Sequence, residues 1–140
     1  MNRTAFRFIL VATACLLAGL VFGIAMAAGQ DHALSPAHGH LNLVGWVGLF
    51  LAGLFYQCVP AAAQDRLSAW HLATAVLGVV LLVPGIVIAL TGGGEIVAIA
   101  GSFVTLAANV LFALIVWRAR PDALRADASR REDLSGRITT

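Results

Sequence analysis

Lysine is absent from this chain, and charge of any kind is scarce: 11% of its 140 residues are charged, while 60% are hydrophobic. A soluble domain carries roughly 25% charged residues, so the composition excludes an ordinary water-soluble fold and indicates a membrane protein. Cysteine is also sparse. Cys15 and Cys58 form no CxxC or zinc-type spacing, and no disulfide between them is expected. The net charge of +2 reflects an arginine-rich C-terminal stretch and carries no signal of a nucleic-acid partner.

What remains is long and apolar. Runs at about 8–28, 40–59, 72–90 and 96–117 approach or exceed the ~20 residues a helix needs to cross a bilayer. None contains Arg, Asp or Glu, and each contains glycine. The chain is therefore read as an all-α membrane protein, with a four-helix transmembrane domain over 1–117 and an Arg-rich cytoplasmic tail over 118–140. The intramembrane charges and paired broken helices that mark transporter cores are missing from the spans.

Orientation follows from the arginines. Arg3 and Arg7 precede the first run, Arg66 lies between the second and third, and the rest follow the fourth, whereas the opposite loops carry Asp31 and Glu95. The positive-inside rule then places both termini in the cytoplasm. It puts His32, His38 and His40 on the outer side of a bacterial inner membrane, and His71 near the cytoplasmic face. The start of the chain, with its two arginines, apolar run and Ala25-Met26-Ala27, also resembles a secretory signal. The length of the run favours an uncleaved first helix.

Smaller features are read as structural. Gly19-x-x-x-Gly23 suits close helix packing, and Pro84-Gly85 is expected to kink the third helix. Asn42, Asn109 and Gln57 are read as helix–helix hydrogen-bonding groups. Trp46, Phe50 and Phe55 are read as packing residues, and His71, beside Trp70, as an interface anchor. A short helix is expected over 122–131, and the arginines of the tail suit attraction to anionic lipid.

The chemistry gathers at Ala37-His38-Gly39-His40-Leu41-Asn42, which opens the second span. An ionisable side chain at membrane depth is a functional-site signal, and imidazole is a common ligand for iron and copper. Residues two apart on an α-helix point about 200° from each other, so His38 and His40 cannot share one metal ion. Each must face a different neighbour. His71 lies about 30 Å away along the second helix and cannot join them. In a ring of identical chains, His40 of one copy and His38 of the next would meet one flat cofactor from both sides. His32 is the remaining outer imidazole, available to a haem propionate or a copper ion. Asn42, one turn beyond His38, is placed to support a ligand, and Trp46 to line a haem edge. A plain reading, in which the histidines are interfacial and bind nothing, stays open at this point.

The segment 37–60, AHGHLNLVGWVGLFLAGLFYQCVP, resembles one helix of the catalytic subunit of the haem–copper oxidase superfamily. That helix has an Ala-His-x-His opening, a glycine-studded apolar body and a terminal proline at similar spacing. It is also similar to the small haem- and copper-binding membrane proteins of the nitric-oxide response and to the nitric-oxide reductases. The resemblance implies that His38 and His40 are axial ligands to two different haem irons. It further implies that the four spans stand for one third of the twelve-helix oxidase subunit, with a homotrimer holding haem b at each interface. Nothing corresponds to the three-histidine copper site of the superfamily, and there is no lysine for a proton channel. Oxygen reduction by the chain alone is therefore not expected. The expected role is electron transfer or redox or gas sensing, with an unidentified redox partner. The alternatives are a copper- or haem-handling accessory protein of a respiratory oxidase and a structural subunit without cofactor.

Overall fold

Two helices of this chain begin where a polar side chain takes up a free backbone N–H, and two others begin at a proline. Asn2 caps α1 (Arg3–Gly29), its side chain accepting the Ala5 N–H at 2.8 Å. Asp65 caps α4 (Arg66–Leu90) through the Leu67 N–H at 3.0 Å. Ser35-Pro36 opens α2 (Ser35–Cys58), with proline in the first turn, where its missing N–H costs nothing. Pro60 starts the one-turn α3 (Pro60–Gln64) in the same manner. The last helix, α5, runs Ile96–Ile138. The structure, a computed structural model, describes the backbone of residues 1–138 and the side chains of residues 1–120.

Four helices are thus long and apolar enough to cross a membrane: Arg3–Gly29, Ser35–Cys58, Arg66–Leu90 and Ile96–Arg120. No strand occurs among the described residues. The helices extend beyond the apolar runs at 8–28, 40–59 and 72–90, mostly at their starts, because the capping residues precede the first apolar side chain. The short helix expected over 122–131 is part of the continuous α5, and the side chains of the tail, with the lipid attraction expected of them, lie outside the described residues. α4 runs unbroken through Pro84, which faces outward.

The chain goes up and down as two hairpins. In the first, Asn2 Nδ2 donates to the Tyr56 carbonyl at 2.7 Å, Asn2 N–H to Gln57 Oε1 at 3.1 Å, and Thr4 to the Ala63 carbonyl at 2.9 Å. These bonds fasten the start of α1 to the end of α2 and to α3. In the second, glycine brings two backbones together. A methyl group added at Gly85 would lie 2.5 Å from the Ala98 nitrogen, and Gly101 is pressed in the same way against the Leu82 backbone. Lipid tails are as apolar as the side chains, so close contact and hydrogen bonds, not water exclusion, hold such helices together. The loop between α4 and α5 turns at Gly92 and Gly94, both at φ 88°, where a side chain would be strained.

The hairpins meet in a core made of Ala5, Phe8, Ala12, Leu49, Ala52, Tyr56, Ile115 and Ala119. It lies toward the end where α1 and α4 begin. Arg3, Arg7, Arg66, Arg118 and Arg120 gather there, and this is called the arginine end below. Trp70 and Trp117 stand exposed at the same end, as tryptophans do at a bilayer boundary. His32, His38 and His40 lie at the opposite, histidine end.

One stretch of α2 departs from the α-helix. Residues Leu41–Gly48 form a π-helix, with wider turns and i→i+5 bonding. Ala37 is buried one turn before it and Gly45 within it. At about 100° per residue, eight residues of α-helix would carry Gly45 roughly 80° away from the face of Ala37. A wider turn reduces that drift and keeps both against the bundle.

Candidate functional site

His38 and His40 occupy the α-helical first turns of α2, just before the π segment. They point to different surroundings, as their spacing requires. His40 is exposed, and its Nδ1 lies 2.7 Å from the carbonyl of Pro36, one turn earlier. A carbonyl only accepts, so Nδ1 carries the proton and Nε2 is left with a free lone pair. A backbone carbonyl holding one ring nitrogen while the other faces outward is the usual support of a metal-binding histidine.

His38 is half-buried against α1. Its ring stands edge-on to Phe22, with centroids 5.9 Å apart, and a methyl group on Gly23 would sit 3.1 Å from its Cε1. One turn later the Asn42 amide fills the space beside Gly19, where an added methyl group would come within 2.5 Å of Oδ1. Gly19 and Gly23 thus make recesses for two polar side chains, which is a more specific use than close helix packing. Asn42 Nδ2 donates to the His38 carbonyl at 2.9 Å. It lies 3.3 and 3.4 Å from the two ring nitrogens of His38. Near-equal distances place the amide across the ring, off the line of either lone pair, so these contacts are weak. The ring nitrogens of His38 carry no well-aligned hydrogen bond, and α1 covers one side of the ring.

The other candidates stand apart. His32 is exposed in the loop, where its backbone carbonyl accepts from the Ser35 N–H at 3.0 Å and hydroxyl at 2.7 Å. Trp46 packs against the core cluster. No group of three or more His, Cys, Asp or Glu gathers to hold a metal ion among the described residues. Among the described residues the imidazoles therefore stand separate within one chain.

The polar residues of the spans sort differently from expectation. Gln57 does link two helices, through Asn2. Asn109 does not: it is exposed, and Nδ2 donates to the Thr105 carbonyl of its own helix at 2.8 Å, a bond within reach of any short amide one turn on. His71 is no interface anchor. It is 5% exposed, and its Nδ1 lies 3.0 Å from the hydroxyl of Tyr56, itself fully buried. Phe112 stacks on the His71 ring at 4.9 Å and 16°, and Phe8 lies 5.0 Å from it. This pair sits at the arginine end of the bundle. A lone tyrosine and a histidine fifteen residues later, on another helix, carry no sequence signal of contact.

No protein-family model, curated protein or solved structure matches this chain.

Proposed function

We propose that the chain is a homo-oligomeric haem-binding protein of a bacterial inner membrane, serving one-electron transfer or redox or gas sensing. In this reading His40 of one copy and His38 of the next hold a b-type haem near the outer face. Bound haem supplies reversible electron exchange at iron. The observation that carries the reading is the bond from His40 Nδ1 to the Pro36 carbonyl, which leaves an exposed Nε2 with its lone pair outward.

The remaining residues fit the group in different degrees. His38 is held in orientation by the Gly23 recess and Phe22, and iron would approach it from the side that α1 leaves open. Asn42 keeps the turn beneath it ordered. The trimer comes from the likeness of 37–60 to the oxidase helix, and the outer location from the arginine bias. Copper handling by a His32, His38 and His40 cluster is less favoured, since the three do not gather within one chain.

The test is a reduced-minus-oxidised absorption spectrum of the full chain purified in mild detergent, beside His38→Ala and His40→Ala. Sharp α and Soret bands of six-coordinate haem b are expected, converted to five-coordinate or lost in both variants. A protein that stays colourless when haem is supplied during expression overturns the reading.

A further inference from the structure

The Tyr56–His71 pair is not used by the proposed haem site. It borders a cavity of about 340 Å³ between α2 and α5, floored by α4. The walls include Leu49, Ala52, Ala75 and Ala108, and the rim carries Leu43 and Leu51, which are well exposed and face the bilayer. His71 lines this space. It lies about five residues, roughly 7–8 Å, along α4 from Arg66, below the level that lipid headgroups occupy.

The hydrogen bond fixes what His71 presents. Tyr56 is fully buried, and its hydroxyl has only His71 within bonding distance among the described residues. If Nδ1 were the donor, the phenolic proton would be left buried without an acceptor, a costly arrangement. Tyr56 therefore donates to Nδ1, and the neutral ring carries its proton on Nε2. His71, with an N–H donor that has no partner among the described residues, thus lines a mainly apolar cavity whose other polar lining residues are Thr105 and Asn109. Thr105, another lining residue, has the single buried side-chain oxygen without a hydrogen-bond partner among the described residues.

We propose that this cavity binds the head of a lipophilic quinone, with a quinone carbonyl accepting the His71 Nε2–H. A ligand entering from the bilayer must be apolar in body and must bring a hydrogen-bond acceptor to a depth where acyl chains bring none. Membrane-dissolved quinones meet both demands. Their flat ring suits a pocket of this volume, whose lining already carries the stacked rings of His71 on α4 and Phe112 on α5. The geometry of His40 makes its Nε2 a lone-pair donor to a metal, whereas that of His71 makes its Nε2 a proton donor to an oxygen. The two ends of the bundle are thus set for different partners, and the quinone site stands whether or not haem is bound.

The experiment measures equilibrium binding of decyl-ubiquinone and of menadione to the full chain in mild detergent, with decanol as competitor. Saturable binding of at least one quinone is expected, weakened at least tenfold in His71→Phe, which keeps the stacked ring and removes the donor. Ala75→Leu, which fills the cavity and leaves His71 in place, is expected to weaken it as strongly. Absence of saturable quinone binding to the unaltered chain overturns the proposal. So does full displacement by equimolar decanol, which would make the cavity a general apolar slot. Quinone binding unchanged in a folded His71→Phe or Ala75→Leu protein overturns it as well.

Discussion

At the level of single residues, the same side chain is used in opposite ways by its hydrogen-bond partner. His40 donates its Nδ1–H to a carbonyl and leaves a lone pair on Nε2, while His71 accepts a hydrogen bond from Tyr56 on Nδ1, keeps its N–H on Nε2 and lines a cavity. Tyr56→Phe removes one partner from a buried pair and leaves the other unsatisfied, which typically costs about 1–3 kcal/mol. The thermal unfolding midpoint in detergent should fall accordingly, and an unchanged midpoint would show that the pair contributes nothing to stability. Gly23→Leu should expel the His38 ring from its recess. In a haem-loaded protein its expected effect resembles that of His38→Ala, whereas Gly29→Leu, which meets open space, should leave the spectrum unchanged.

The helices themselves were largely legible in the amino-acid order, since four uncharged apolar runs leave little choice in a bilayer. Their starts were less so, because Asn2, Ser35 and Asp65 belong to the helix-start chemistry and not to the apolar run. The two-sided placement of His38 and His40 follows from helix geometry alone. The burial of His71 does not, for it depends on how α4 turns against α1, α2 and α5. The π segment at Leu41–Gly48 likewise leaves no periodic trace in a stretch that is apolar on every side. Between helices, the tightest seam is where Gly85 and Gly101 meet the opposing backbone. Gly101→Leu forces bulk against the Leu82 backbone and should destabilise the protein by about 1–3 kcal/mol or more. Its unfolding midpoint, set beside that of Gly29→Leu, measures the difference.

For the whole molecule, the described arginines collect at one end and His32, His38 and His40 at the other. The helix directions make that separation a consequence of the fold, and under the positive-inside rule the arginine end is the one expected in the cytoplasm. A reporter fused after Thr140 is expected to be active only if it is a cytoplasmic type, such as a fluorescent protein, and silent if it requires export. The reverse result would invert the assignment and put His40 on the cytoplasmic side. Much of the lateral surface is apolar and exposed, including Leu17, Val21 and Phe103. Lipid or a second copy can cover it, and the mass of the detergent-solubilised particle distinguishes one copy from three.

The two hairpins also suggest where the gene could be divided. The α4–α5 seam holds close backbone approaches at Gly85 and Gly101, and α1 is fastened by Asn2 to the end of α2 and by Thr4 to α3, while the boundary between the pairs includes an open cavity. A cut between Gln64 and Asp65, both exposed, leaves each half with its own fastening. Co-expression of 1–64 with 65–140 should therefore reconstitute the bundle by complementation, and either half could then be labelled or exchanged alone.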